Sequence, residues 1–389
     1  MNETVGGGAL THHQGRPEGL RLTRLTLGRY RNYPALSWLP GGQIVVISGA
    51  NGSGKTNLLE SISFLVPGRG LRGARIAEVA SGATGAWGAH GWFDTPDGPV
   101  EIGTGTTDEA PDRRVFRLDG VAPRNQAELS SRVAAVWLTP QMDRLFQEGL
   151  SGRRRFLDRL VYAIEPSHAR EVAAHDTAMA GRNRLLAEGR RDPAWLAGLE
   201  DAMARHAVAV MAARADLVTQ LNTALASGIA GRFPAAQLGL VSPIADLLAH
   251  EPALAVEDQV RQALATSRDR DAVAGSATLG AHRCDMALHE LATGQPAAQA
   301  STGQQKALLI GVILGHASLL AGARGFAPLL LLDEPATHLD PQRREALFEA
   351  LSELPAQVFL TGTDAATFDP VRGRAAFWQT GKNALHADP

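Results

Sequence analysis

Cysteine is nearly missing from this 389-residue chain, where Cys284 stands alone. One thiol forms no internal disulfide and builds no cysteine zinc site, and this usage fits a reducing cytosol. Cys284 itself reads as a small, inert core residue. Lysine is almost as scarce: of 38 basic residues only Lys55, Lys306 and Lys382 are lysines. Neither sign of charge is in excess, since 40 acidic residues leave a net charge of −2. The molecule as a whole is therefore no polycation, and any nucleic-acid contact must use a local patch. No apolar run reads as long enough for a membrane span. Residues 1–19, with Gly6-Gly7-Gly8, His12-His13 and Pro17, lack the apolar core of a signal peptide. They are expected to form a flexible, solvated tail rather than a metal site. The apolar share, 44%, is that of a globular protein, and the length suffices for two or three folding units.

The run Ile44-Val45-Val46-Ile47-Ser48 reads as a buried strand because four β-branched residues follow one another. Gly49-Ala50-Asn51-Gly52-Ser53-Gly54-Lys55-Thr56 comes next and fits G-x-x-x-x-G-K-[ST], the phosphate-binding loop. Its glycines let backbone N–H groups converge on phosphate oxygens. The helix expected over Asn57 to Val66 offers unpaired N–H groups and a positive dipole end to the same anion. Lys55 is placed to reach the β- and γ-phosphates, and Thr56 to put its hydroxyl on Mg²⁺. A chance glycine-rich turn rarely sits between a buried strand and a helix. The loop alone says only that a nucleoside triphosphate binds.

Around this stretch the pattern alternates. Leu20 to Tyr33 reads as a strand pair or a bulged strand, with Leu20/Leu22 and Leu25/Leu27 on alternating faces. Arg69, Arg72 and Arg75 would share a face if helical, although a solvated loop is the plainer reading. Ala86 to Leu118 reads as an antiparallel meander, with Asp97-Gly98 and Asp119-Gly120 as hairpin signals. Ala134 to Thr139 reads as a short strand. After Ser151-Gly152, residues Phe156, Leu157, Leu160, Val161 and Ile164 make one apolar helical stripe. Arg153, Arg154 and Arg155 crowd the first turn of that helix, against the dipole preference. An exposed cluster and a site for a negatively charged ligand are equal readings of that misfit. His168 to Ala187 and Pro193 to Ala226 read as two long helices forming a hairpin, and Glu257 to Thr266 as another helix. Residues 228–250 are mixed, and 267–300 look loop-rich. From 301 onward α/β character returns: a helix over Gln304 to Leu320, strands at Leu329 to Leu332 and Gln357 to Thr361, a helix over Arg343 to Leu351, and Ala375 to Trp378 ending the sheet. No repeat of fixed period is present.

A second constellation lies in this last part. Leu329-Leu330-Leu331-Leu332-Asp333-Glu334 is a buried strand ending in two acids. A carboxylate at a strand's C-terminal end can hold Mg²⁺, which assigns Asp333 to the metal. The next carboxylate, Glu334, can polarise an attacking water. Ser301-Thr302-Gly303-Gln304 opens a helix and makes a second anion site in the same chain. Asp340 follows Ala336-Thr337-His338-Leu339, and Thr361-Gly362-Thr363-Asp364 ends the next strand.

This order of parts resembles the ABC-type ATPases: phosphate loop, long insertion, S-x-G-Q signature, D-E-P and a Leu-Asp D-loop. In that class two subunits sandwich two nucleotides. The resemblance implies that Ser301, Gly303 and Gln304 act in trans on the partner copy's ATP, and that Asp340 supports the dimer seam. The histidine usual at the switch is absent; Thr361 or Thr363 stands there, which suggests slow turnover. Tyr30-Arg31-Asn32-Tyr33, Asn51 to Ile62, Arg153-Arg154-Arg155-Phe156-Leu157-Asp158 and Arg182-Asn183-Arg184-Leu185-Leu186 narrow the resemblance to the RecF family of recombinational repair proteins, over roughly residues 20–380. Pro140-Gln141-Met142 departs from the family's P-E-D pattern, and Gln141 stands where a Q-loop glutamine could serve.

The resemblance implies a head-like α/β fold. Residues 20–139 and 301–389 would form an ATPase lobe I, with a P-loop core and an antiparallel β subdomain, and 140–300 a helical lobe II. It also implies a protein that binds ATP and Mg²⁺ and closes into a homodimer on single- and double-stranded DNA, preferentially gapped. RecR and RecO would be partners in helping to load recombinase, with no membrane involved. Arg69, Arg72, Arg153, Arg154 and Arg155 are the candidate DNA contacts. Two other readings share the ATPase motifs, a transporter nucleotide-binding subunit and a structural SMC-like head. The long basic-headed insertion opposes the first, and the shortness of the helices at 168–226 opposes the second.

Overall fold

The computed structural model describes residues 19–81, 85–190, 192–229, 231–381 and 384–388. Most of the expected tail, with His12-His13, and Lys382 lie outside them. In chain order the elements are β1 (Arg21–Tyr30), β2 (Tyr33–Trp38), β3 (Ile44–Ser48), α1 (Lys55–Ser63), β4 (Gly88–Thr95), β5 (Gly98–Thr107), β6 (Ala110–Leu118), α2 (Gln126–Ser130), β7 (Ala135–Leu138), α3 (Leu150–Ile164), α4 (His168–Ala187) and α5 (Pro193–Ala226). There follow β8 (Ala236–Val241), α6 (Pro243–Leu248), α7 (Ala253–Thr266), α8 (Arg268–Ala274), β9 (Asp285–Glu290), α9 (Thr302–Arg324), β10 (Leu329–Leu332), α10 (Pro341–Glu353), β11 (Val358–Gly362), β12 (Ala375–Gly381) and β13 (Ala384–Asp388).

Two large sheets carry the nucleotide end. One has the order β13-β12-β3-β11-β10-β7, parallel except for β13. Strands β3, β7 and β10 are buried along their whole length, as parallel strands covered on both faces must be. The other sheet is antiparallel, in the order β2-β1-β4-β5-β6. Gln357 sews the two together: its side chain accepts from Leu22 N at 2.7 Å and donates to the carbonyls of Leu22 and Gly42. A β-bulge between Leu22 and Arg24 shifts the phase of β1, so Leu20, Leu22, Leu25 and Leu27 are all buried instead of alternating.

Helices α3 to α8 form the middle of the chain, with α4 and α5 lying against each other. Met203, Val208 and Met211 of α5 join Val256, Val260 and Leu264 of α7 and Cys284 in a second core. Residues 267–300 are more ordered than their small, polar composition suggests. They contain α8 and the strand β9, which pairs with β8 in the unreadable stretch. Short strands with few β-branched residues leave little local signal. Two hairpin signals divide: Asp97-Gly98 turns β4 into β5, whereas β5 and β6 are joined at Asp108-Glu109, and Asp119-Gly120 closes only an isolated bridge from Leu118 to Val121. The sheet also continues past Trp378, through Gly381 and into β13. Helix α9 corrects the expectation about apolar length. Its 23 residues are long and apolar enough to cross a membrane by composition, but they lie mostly inside the core, beside β7 and α5.

Candidate nucleotide site

The phosphate loop follows β3, and Gly54 ends it at φ 106°, in the left-handed region. A Cβ there would lie 2.4 Å from Asn32 Nδ2 and 2.8 Å from Tyr33 Oη, so only glycine fits. Those neighbours come from the β1–β2 turn. Asn57 Nδ2 donates to Asn32 Oδ1 at 2.7 Å, and Tyr33 donates its hydroxyl to Gly54 O at 3.2 Å. Arg31 forks onto both oxygens of the fully buried Glu60 in α1, at 2.9 and 3.0 Å. Burial pushes the Tyr33 hydroxyl up to about 12, so it stays a donor. The Tyr30-Arg31-Asn32-Tyr33 block thus braces the loop from the neighbouring sheet, a role that its sequence position did not reveal.

Lys55 crosses the loop and donates to the carbonyls of Gly49 and Ala50, at 2.6 and 3.0 Å. Burial pulls its pKa down, while Glu334 and Asp333 oppose the shift. Thr56 Oγ1 lies 3.1 Å from Asp333 Oδ1, although 277 positions separate them. A hydroxyl and a carboxylate meeting at one point suit a hard divalent cation that also takes phosphate oxygens, as Mg²⁺ does. Such an ion is usually held by one or two protein oxygens, with waters and substrate phosphates as its other ligands. On the opposite flank Ser53 Oγ and Thr380 Oγ1 are 2.5 Å apart.

Glu334 follows at φ 49°, a left-handed conformation that costs a non-glycine residue of order 1 kcal/mol. Its N–H donates to Thr361 Oγ1 at 2.9 Å, and Thr361 in turn donates to Asp333 Oδ1 at 2.7 Å. Thr361 is fully buried and its hydroxyl is committed on both sides; Thr363 is exposed. Of the two switch candidates, Thr361 therefore holds the acid pair in place, and Thr363 is the one open to a ligand. Both line a cleft of about 230 Å³ beside Glu334, with Thr337, His338 and Arg344. It is large enough for several waters.

Ser301 caps α9 in a reciprocal capping box with Gln304: Gln304 N donates to Ser301 Oγ, and Ser301 N to Gln304 Oε1 at 2.9 Å. Gly303 packs so close to the D-loop that a Cβ would stand 2.8 Å from His338 O. Among the described residues, the signature side chains of Ser301 and Gln304 hydrogen-bond to each other and not to the phosphate loop of their own chain. Asp340 caps α10 by accepting from Arg343 N at 2.8 Å.

The arginines divide. Arg69 and Arg155 are exposed and have no ion pair among the described residues. Arg72 is turned onto Asn57 Oδ1 at 2.8 Å and lies 3.7 Å from Glu60; its segment is a turn, not a helix, so Arg69, Arg72 and Arg75 do not form a helical face. Arg153 forks onto Asp285 at 2.6 and 3.1 Å, and Arg154 donates to Cys284 O at 3.2 Å. Those two guanidiniums are bonded within the fold, which sets them apart from Arg69 and Arg155 as candidate DNA contacts. The acid of the same block, Asp158, accepts two bonds from Arg214 and lies 2.8 Å from His168 Nε2. The second block is likewise structural. Arg182, wholly buried, binds Glu200, Asp271 and the carbonyl of Leu264 at 3.0, 2.8 and 2.6 Å, tying four helices together.

Comparison with known proteins bears on the family and the fold. The family model for the RecF/RecN/SMC N terminal domain matches residues 21–376. A protein of Mesorhizobium japonicum named "DNA replication and repair protein RecF" is 47% identical over 93% of this chain and 96% of its own length. One of the same name from Agrobacterium fabrum is 45% identical over 94% and 98%. The solved "Structure of the recombination mediator protein RecF-ATPrS in RecFOR pathway" superposes with a TM-score of 0.84, at 19% identity, over 96% of this chain and 99% of that one. The chain belongs to the RecF family of DNA replication and repair proteins.

Proposed function

We propose that this chain is an ATP-gated DNA-binding protein of recombinational repair. Gly49 to Asn57 cradle the triphosphate, Lys55 neutralises its β- and γ-phosphates, and Thr56 and Asp333 hold Mg²⁺. Two copies close over two nucleotides, each supplying Ser301, Gly303 and Gln304 to the other's γ-phosphate, with Asp340 at the seam. Glu334 activates water for slow hydrolysis, and opening releases the DNA. The DNA is gapped or a junction of single and double strands. The relatives' name supports the repair role, and the RecFOR pathway named with the solved neighbour makes RecO and RecR the partners of choice. Residues 20–139 with 301–389 act as the ATPase lobe, and 140–300 as the lobe that rides on it.

The observation that carries this reading is the meeting of Thr56 and Asp333 in a chain whose signature side chains, among the described residues, bond to each other and not to its own phosphate loop. A triphosphate closed on one side only has room for a second molecule. A structural SMC-like head is disfavoured by the 34 residues of α5, too short for a long coiled coil, and a transporter subunit by the intervening helical region.

The test is sedimentation with and without ATP, Mg²⁺ and gapped DNA. The wild type is expected to dimerise only with ATP. Ser301→Arg is expected to bind ATP nearly normally and stay monomeric. A Ser301→Arg protein that dimerises as well as wild type removes the sandwich.

A further inference from the structure

Lysine is so rare here that each one invites a question, and Lys306 has no place in the machinery so far described. It sits in α9, five positions beyond Ser301, or about 7 Å along the helix. Its side chain is 1% exposed. The ammonium donates to Asp143 Oδ2 at 3.1 Å and to the backbone carbonyl of Glu334 at 2.9 Å. Asp143 lies in the short turn Pro140–Arg144, two residues after Gln141, and its other oxygen, Oδ1, is buried with no hydrogen-bond partner among the described residues. Three segments far apart in sequence therefore converge on one cation: the signature helix, the turn after β7, and the end of β10.

The Glu334 contact is the informative one. Glu334 holds a left-handed backbone, and such a conformation persists only where its surroundings fix it. Thr361 takes the N–H of that residue and Lys306 takes its C=O. The peptide groups on both sides of the acid are thus clamped, one from β11 and one from the helix that begins at Ser301. A shift of α9 along its axis moves the Lys306 clamp, while the Thr361 clamp stays with the sheet.

We propose that Lys306 is a positioning residue that couples the signature helix to the general base, so that engagement of Ser301 and Gly303 by the second copy's nucleotide sets the orientation of Glu334 through its backbone carbonyl. This rests on the ATP-sandwich reading above. It adds that hydrolysis in one site answers to occupancy of the other through a single buried ammonium. Asp143 holds that ammonium in its place and extends the link toward Gln141.

The experiment uses the full chain as Lys306→Met, Lys306→Arg and Asp143→Asn beside the wild type. Affinity for a fluorescent ATP analogue, ATP-dependent dimerisation by sedimentation, and single-turnover hydrolysis within the dimer are measured. Lys306→Met is expected to change nucleotide affinity less than about threefold, to dimerise, and to hydrolyse about 10–100-fold more slowly, the usual effect of removing a supporting partner. Lys306→Arg is expected to recover part of that rate. Asp143→Asn, which keeps the Glu334 contact, is expected to slow hydrolysis less than Lys306→Met and supplies the answer if that variant fails to fold. A lysine that merely fastens the core would lower stability, affinity and dimerisation together. A Lys306→Met or Asp143→Asn dimer that behaves in this way, or Lys306→Met hydrolysis at the wild-type rate, overturns the proposal. A wild-type chain that stays monomeric with ATP overturns the sandwich reading and the coupling with it.

Discussion

The phosphate loop and the helical region treat positive charge in opposite ways. At the loop, among the described residues, the ammonium of Lys55 is bonded to backbone carbonyls and to no carboxylate, with Asp333 and Glu334 nearby. In the helical region Arg153, Arg182 and Arg214 each fork onto one or two carboxylates. A cation left without a carboxylate is available to an anion from outside; a cation closed within an ion pair is part of the scaffold. The sequence blocks on which the family resemblance rests, around Arg153 and Arg182, fall on the scaffold side. The phosphate loop is a motif of general use wherever backbone must cradle phosphate. Specificity of a motif and proximity to chemistry are therefore different things in this molecule.

The largest test of that contrast is Arg182→Met. Removing the guanidinium strands Glu200 and Asp271 in the interior, with an expected loss of about 3–5 kcal/mol of stability. Chemical denaturation checks the loss, and nucleotide affinity measured well below the transition is expected to stay unchanged. Acid adds a second reading. Burial favours the neutral form of Asp271, but hydrogen bonds from Thr278, Ser267 and Arg182 hold its pKa below the usual carboxylate value. A carboxylate depressed in the fold stabilises it above its unfolded pKa, near 4, and that contribution fades as pH falls through the folded value. The wild type is expected to lose this part of its stability below about pH 4, and Arg182→Met to have little of it left to lose. If the variant's acid midpoint matches the wild type's, the cluster is not what fixes these helices.

Lys55→Ala probes the other side. A lost charged hydrogen bond to phosphate is worth about 1.5–3 kcal/mol, or roughly 10–150-fold in affinity. Titration with ATP measures it, and dimerisation is expected to disappear with it. Stability without nucleotide should hardly change, since the Lys55 ammonium bonds to two backbone carbonyls and, among the described residues, to no carboxylate. A large fall in stability would place Lys55 with the scaffold and erase the contrast.

What could be read from the sequence follows the same division. The loop, the strand ending in Asp333-Glu334 and the helices α4 and α5 were legible, because buried apolar runs, glycine spacing and long helix-prone stretches are local signals. Strands β8, β9 and β13 were not, since their stability comes from neighbours distant in sequence. The same holds within the site. Asn32 and Tyr33 brace Gly54 from 21 or 22 positions away, and Lys306 meets Asp143 across 163. Nothing in residue spacing announces such a contact. Scarcity did offer a hint, as a lysine inside an apolar helix needs a partner. The pairing of Arg153 went unseen for a related reason: its carboxylate, Asp285, lies 132 positions away in a stretch that reads as loop.

The smallest effect is also the sharpest, since it separates neighbours within one motif. Arg155 is exposed at the first turn of α3, while Arg153, two positions earlier, is joined to Asp285. If DNA lies against this turn, Arg155→Ala removes one phosphate contact and reduces the slope of log affinity against log salt by about 0.9 for duplex DNA, without altering thermal stability. Arg153→Ala breaks a half-buried pair and leaves Asp285 uncompensated, so thermal stability falls while the salt slope holds. Arg69→Ala, at an exposed side chain in the turn after α1, is expected to behave as Arg155→Ala does. Salt titrations of gapped-DNA binding for the three variants decide it. An unchanged slope for both Arg69→Ala and Arg155→Ala would move the DNA path off this side of the molecule, whereas a reduced slope for Arg153→Ala would mean that its ion pair opens when DNA arrives.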